Sequence, residues 1–364
     1  MMHNGRFAEA PHENPGTNAW LRHLEWWGRL DARDLGGAQG RAHGKSKSNW
    51  FTRFPFVWPS QTEGSLRLRE MVQNYALDGT IVECDEDGRG INLAAVDSNA
   101  DGIFPTMWPI KTRHRPKVAY IYDFQHRELP HLFTDAERMR RDQEFAELAL
   151  RSDAMFATSR HVASCMQKYL GVAADRILVM PYTPYVQDAW YDQDPELVRQ
   201  RYGIGRRYVL VSNHFWIHKD HGTAIRAFLA LAAETGFEDL ELVLTGDTTD
   251  SRDPDHFQRL LALIRDSGFA SRIHVLGFID KGEQLALLRG AALLVQPTLF
   301  EGGPGGGASY EAVGLGVPLL LSDITVNLEV QGDRILYFRA GDALDLSVQM
   351  RRVLSEPMPA VDRA

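Results

Sequence analysis

QPTLFEGGPGGGASYEAVGLGVPLLLSDI, residues 296–324, sets two apolar runs on either side of a glycine-rich loop. An apolar run ends at Thr298 and a carboxylate, Glu301, follows at once. A loop then carries the five glycines Gly302, Gly303, Gly305, Gly306 and Gly307. A helix-like segment with a second carboxylate, Glu311, leads to a second apolar run, Pro318 to Leu321. Strand, glycine loop, helix and strand in that order form the repeating unit of a parallel sheet. Glycines let backbone N–H groups approach a ligand, and a helix N-terminus favours negative charge. The loop therefore reads as a seat for a phosphate or a sugar phosphate, with carboxylates on either side to hold hydroxyls. A plain βα turn without ligand is open on these residues alone. A nicotinamide site is not expected, because the motif lies near the C-terminus and its spacing departs from the dinucleotide fingerprint.

The same alternation extends outward. Apolar runs predict strands near 118–122, 154–158, 177–180, 208–212, 240–245, 273–276, 293–296, 318–321 and 335–338. Between them, helical patterns fall at 135–151, 160–170, 221–235, 255–267 and 282–290. This predicts an α/β protein of doubly wound parallel sheets in two domains, 1–190 and 191–364. The polar stretch 184–205 is read as a linker. Residues 1–90 read as irregular or divergent: they hold five of the eight tryptophans, and 14–30 is a candidate first helix.

Composition narrows the classes of function. A net charge of −8 and a pI of about 5.9 argue against a nucleic-acid binder. Two cysteines, Cys84 and Cys165, are too few for a disulfide framework and fit a reducing cytosol. No apolar run of about 18 residues exists and the N-terminus has no signal core, so a cytoplasmic location is expected. The short basic clusters at 111–117 and 138–141 read as solvated faces, or as a weak peripheral contact with a membrane or an acceptor.

Two further stretches carry chemistry. In SNHFWIHKDHGTAIRAF, residues 212–228, Lys219 lies in the loop after a strand, where doubly wound folds bind ligands. An ammonium there neutralises charge on a diphosphate, and a lysine at a helix start opposes the helix dipole, which favours a functional reason for it. His214, His218 and His221 have spacings that suit a metal, but no cysteine or carboxylate cluster completes the set, so no metal is expected. The DxD-like triplets at 85–87, 192–194 and 253–255 read as surface turns. In KVAYIYDFQHRELPHLFTDAERMRRDQEF, residues 117–145, a strand ends at Asp123 before a polar loop with Gln125 and His126. Thr134 and Glu137 then have the spacing of a capping box.

These three motifs, in this order, resemble the family-4 glycosyltransferases of GT-B fold over roughly residues 102–345. The family signature is a pair of glutamates usually separated by seven residues; here nine residues separate Glu301 from Glu311. The resemblance implies two Rossmann-like domains facing across a cleft, the N-terminal one atypical and binding the acceptor, the C-terminal one binding a nucleoside-diphosphate sugar. It implies retaining transfer of the sugar to a glycan or lipid-linked acceptor, with no cofactor or metal, in bacterial polysaccharide or O-antigen synthesis at the inner face of the membrane. By the same resemblance Glu301 contacts the donor sugar, Glu311 the ribose and Lys219 the diphosphate. His214 stands where relatives usually have arginine. Gly246 and Phe278 approach the nucleotide. His126 lies over the donor sugar, with Asp123 and Gln125 toward the acceptor. The alternatives are a non-catalytic sugar-nucleotide-binding subunit, or another GT-B enzyme such as a sugar-nucleotide epimerase or a phosphorylase.

Overall fold

The computed structural model describes residues 56–59, 81–84, 101–107, 109, 115–184 and 186–356. Contacts divide the chain into two units, Met1–Ala119 with Glu147–Ala154, and Tyr120–Ala146 with Met155–Ala364. In the first unit β1 (Phe56–Pro59) pairs in parallel with β2 (Ile81–Cys84), and β3 (Ile103–Thr106) pairs in parallel with β4 (Lys117–Tyr120). The other expectations for residues 1–90, a helix over 14–30 among them, lie outside the described residues.

In the second unit the segment after β4 forms a short helix α1 (Gln125–Glu128) and then enters α2 (Asp135–Arg151). The expected capping box starts α2: the Thr134 N–H donates to Glu137 Oε2 at 3.0 Å, and the Glu137 N–H donates to Thr134 Oγ1 at 3.3 Å. Next come β5 (Ala154–Ala157), α3 (Arg160–Leu170) and β6 (Ile177–Val179), with β5 and β6 parallel. Ser159 caps α3 by accepting from the Val162 N–H at 3.1 Å, and Gly171 ends it at φ 64°.

The rest of this unit is one doubly wound sheet. After α4 (Pro195–Arg201) it runs β7 (Arg207–Ser212), α5 (His221–Ala232), β8 (Leu240–Thr245), α6 (His256–Arg265), β9 (Ile273–Gly277), α7 (Lys281–Gly290) and β10 (Leu293–Gln296). It closes with α8 (Gly307–Leu315), β11 (Leu319–Ser322), β12 (Ile335–Phe338) and α9 (Ala343–Ser355). The strand order is β12-β11-β10-β7-β8-β9, and every neighbouring pair is parallel.

Both faces of the sheet are apolar, as continuous rather than alternating hydrophobic strands require. Val209, Val211, Leu242, Leu244, Leu293 and Val295 pack with Phe228 and Leu231 of α5, Leu260 of α6 and Met350 of α9. The residues between them, Leu210, Val243 and Leu294, pack on the opposite face with Val198 of α4, Leu287 of α7 and Ala312 of α8. Each such side chain taken fully out of water contributes about 1.5–3 kcal/mol.

The stretch expected as a linker is folded onto this second core. Asp194 caps α4 by accepting from the Glu196 N–H at 2.8 Å, and Pro195 takes the first helical position. Arg289 of α7 donates to the Trp190 and Gln193 carbonyls at 3.0 and 3.1 Å. No described helix is long and apolar enough to cross a membrane.

Candidate active site

The chain leaves β7 toward β8 and β9, then returns to β10 on the other side of β7 and continues outward. Connections therefore diverge between β7 and β10, and the crevice at the carboxyl ends of those strands is where ligands bind in such sheets. Both sequence motifs of this unit start there. The loop after β7 begins at Asn213, the loop after β10 at Pro297, and Asn213 Nδ2 donates to Gln296 Oε1 across the switch point.

The loop after β7 is built to present Lys219. Asn213 to Trp216 run to a 3-10 turn, Ile217–Lys219, which Asp220 ends in the left-handed region at φ 46° while its side chain caps α5. Backbone contacts lock this turn to the other loop, since the Leu299 N–H donates to the His218 carbonyl at 2.7 Å. Lys219 Nζ then forms an ion pair with Glu301 Oε1, the two side chains being 10% and 11% exposed.

The glycine loop folds back to the start of α8. Gly305 and Gly306 both sit at positive φ, 66° and 72°, which excludes other side chains without strain. The Gly305 N–H donates to Asn327 Oδ1 at 2.7 Å, and Asn327 in turn donates to the Ser322 carbonyl at 2.9 Å. A Cβ on Gly306 would lie 3.4 Å from Glu301 Oε1, so the carboxylate rests against the N-terminus of α8, opposite its dipole in charge. Gly307 opens α8, and Glu311 one turn on is buried and bound by Lys281 Nζ and by Gln284 Nε2 at 3.1 Å. Each signature glutamate thus rests on a lysine that is far from it in sequence.

Other predicted residues take varied places. Gly246, at φ 143°, lies so close to the Asn213 carbonyl that a Cβ would stand 1.9 Å from it, and its N–H donates to the Gly277 carbonyl at 2.8 Å. The ends of β7, β8 and β9 therefore converge, with Phe278 63% exposed beside them. His214 stacks on Trp216 at 4.9 Å and accepts from the Asp247 N–H at 3.3 Å. His218 bonds Arg252 at 3.3 Å, and His221 is fully buried against Phe215 at 4.3 Å. Gly302 touches the segment after β4: a Cβ there would stand 2.1 Å from the Tyr122 carbonyl. The Gly302 carbonyl accepts from Ser159 Oγ at 2.9 Å and from Thr158 Oγ1 at 3.3 Å.

Asp123 sits next to that contact. Burial raises its carboxyl, and the Gln125 N–H, which donates to it at 2.9 Å, lowers it. His126 was expected over the donor sugar. Its ring has no exposure at all; it lies among Phe124, Phe133 and Phe145, with Nε2 on Asp142 Oδ1 at 3.0 Å. Burial lowers its pKa, so the ring is neutral and packed like a core aromatic.

Sequence reasoning did not single out Arg252. Its guanidinium holds both carboxylate oxygens of Asp250 at 2.9 and 3.0 Å, reaches Gln125 Oε1 at 3.1 Å and lies 5.6 Å from the Trp216 ring centroid. Asp250 also accepts from the Ile217 N–H at 2.9 Å, so this pair braces the turn that carries Lys219. Glu329, given no role from sequence, caps α3 by accepting from the Arg160 and His161 N–H groups at 2.8 and 2.6 Å.

Comparison with known proteins adds to this geometry. Residues 195–363 match the family described as Glycosyl transferases group 1. No curated protein matches the chain in sequence. Among solved structures it is similar to HepE of Anabaena in complex with UDP, at 14% identity and a TM-score of 0.61 over 79% of this chain and 80% of that one. It is similar to a glycosyltransferase of Rickettsia africae at 13% identity and a TM-score of 0.60, over 82% and 79%. A third likeness is to WaaG, a glycosyltransferase involved in lipopolysaccharide biosynthesis, at 17% identity and a TM-score of 0.56, over 77% and 78%. These likenesses show the fold, an α/β architecture of open, Rossmann-like parallel sheets of the GT-B kind.

Proposed function

We propose that the chain is a retaining glycosyltransferase of family 4, moving a sugar from a nucleoside-diphosphate sugar to a glycan or lipid-linked acceptor. The observation that carries this reading is the meeting of Lys219 and Glu301 at the switch point of the sheet, beside the N-terminus of α8. A diphosphate placed at that helix end gains from its dipole and from the Lys219 ammonium. Glu301 then turns from the lysine to the hydroxyls of the donor sugar, and Glu311 from Lys281 to those of the ribose. The acceptor hydroxyl attacks the anomeric carbon from the face the diphosphate leaves. The bond from carbon to diphosphate oxygen breaks as the new glycosidic bond forms, and the acceptor proton passes to the departing phosphate oxygen.

In this reading Asp123 and Gln125 lie toward the acceptor, and His126 shapes that loop from beneath. Lysine supplies the positive charge at the diphosphate, so no metal cofactor is invoked, and transfer should survive EDTA. HepE is described in complexes with UDP and with UDP-glucose, which makes a uridine donor the first to try. The proposed setting is bacterial surface polysaccharide or O-antigen assembly at the cytoplasmic face.

The test is a thermal-shift panel of UDP, GDP, dTDP and ADP, followed by a transfer assay with the sugars of whichever base binds. Ligand at about 100 times its dissociation constant stabilises by about 2.7 kcal/mol. Binding without turnover on any acceptor would instead make the chain a sugar-nucleotide-binding subunit. No shift with any diphosphate would remove the donor site from this loop.

A further inference from the structure

One arginine beside this site has no carboxylate of its own. The others on α1 and α2 are matched: Arg127 with Asp142 at 2.6 Å, Arg138 with Asp135, Arg140 with Glu144 at 2.7 Å and Arg151 with Glu147 at 2.7 Å. Among the described residues, Arg141 takes part in no ion pair; its Nε is buried without a partner, and its Cζ lies 4.8 Å from the centroid of the Phe133 ring. The ring holds the guanidinium in place and satisfies none of its N–H groups.

Its neighbours connect it to the glycine loop. The charge of Arg141 acts on Asp123 and on Tyr122, and Asp123 feels Glu301 and Lys219 in turn. Tyr122 is 39% exposed, and its carbonyl abuts Gly302. Tyr122 and Asp123 thus adjoin the glycine that follows Glu301, and Arg141 is a cation whose charge reaches both of them. A ring stacks on the apolar face of a sugar, and a carboxylate accepts from its hydroxyls. A guanidinium calls for a planar or tetrahedral oxyanion, which it binds with two parallel N–H bonds.

We propose that this surface receives the acceptor, and that the acceptor is a sugar bearing an oxyanion, phosphate or carboxylate, which Arg141 reads. The proposal rests on the transferase reading and deepens it. A neutral glycan seated here would offer Arg141 only hydroxyl oxygens as acceptors and leave its charge without a counter-ion, which disfavours it against an oxyanion.

The experiment is calorimetric titration of the full chain with glucose 6-phosphate, glucuronate and glucose, each with and without saturating UDP. At least one anionic sugar should bind about tenfold or more tighter than glucose. Arg141→Gln should abolish that preference while leaving UDP affinity unchanged, and Arg141→Lys should keep part of it. Which anion wins separates phosphate from carboxylate. Equal or undetectable binding of all three sugars overturns the proposal, as does an anion preference that survives in Arg141→Gln; Arg141 is then only a counter-ion to Asp123. Failure of UDP to bind, with the preference intact, would sink the transferase reading and leave the anion site standing.

Discussion

Lys219 Nζ donates to Glu301 Oε1 across 82 residues of sequence, in a pair almost closed to solvent. Deleting one member leaves the other charge buried and unpaired. We predict that Lys219→Met and Glu301→Gln each lose about 3 kcal/mol of stability in urea unfolding. The double variant should lose less than the sum, by about 0.5–3 kcal/mol. Additive losses would show that the two side chains do not depend on each other in solution. In a transfer assay, Glu301→Ala should cut turnover by about 10²-fold or more, the order of one lost transition-state contact.

Glu311 is held by Lys281 and Gln284, and the proposed donor competes with them for its oxygens. Glu311→Ala should weaken nucleoside-diphosphate binding by about 1–3 kcal/mol, the range for a hydrogen bond to a charged group. Calorimetric titration with UDP measures this directly, and unchanged affinity would remove Glu311 from the site.

His221 gives the fold an acid limit. Burial lowers its imidazole to about 3, and His218 is lowered in the same direction, from an ordinary value of 6.5. Above that ordinary value both the folded and the unfolded chain hold these rings neutral, and stability does not change through them. As pH falls from 6.5 toward 3, the unfolded chain takes up a proton that the folded chain refuses at His221, so stability falls by about 1.4 kcal/mol per pH unit through that ring, and His218 acts in the same direction. The His221 ring stacks on Phe215 and meets the Asn213 backbone, so His221→Leu, which gives up that one polar contact, should cost no more than about 1.5 kcal/mol at pH 7. That variant should remove about one proton from the slope between pH 6.5 and 4 in urea midpoints taken as a function of pH. A parental slope in the variant would contradict the assignment.

Two glycines separate folding from ligand approach. Gly246→Ala puts a Cβ into the Asn213 carbonyl and should cost about 2–5 kcal/mol. Gly307→Ala meets nothing within 4 Å and should leave stability within about 1 kcal/mol of the parent. A fall in UDP affinity in Gly307→Ala without a fall in melting temperature would mark the loop as a seat for the ligand; unchanged affinity would move the phosphates elsewhere.

Much of the second sheet was legible in the sequence. β8, β10 and β12, and α2 and α3, span the residues their patterns predict, because strong apolar runs and capping residues bound them. The segment 184–205 was misread although its signals were present: Asp194 and Pro195 start a helix, but its short polar face hides the single buried Val198. Lys219, Glu301 and Glu311 could be picked out by local spacing. Their partners could not, because Lys281 reaches Glu311 and Arg252 reaches Gln125 only through the folded sheet. The burial of His126 was equally hidden, since a DFQH segment in a loop gives no sign that three phenylalanines will enclose the ring.

The two central strands carry a kinetic consequence. β7 and β10 meet with Leu293 opposite Val209, so everything from β8 through α7 lies in the loop between them. Closing so long a loop is an entropic cost met before any contact across it forms, and sheets built this way fold slowly. The crevice accordingly has no local precursor: a chain with β8 and β9 in place but β10 unpaired holds the Lys219 turn without Glu301 to meet it. A nucleotide bound across these loops, as proposed, would hold only the chain whose centre has closed, and would thereby draw newly made protein toward the finished fold.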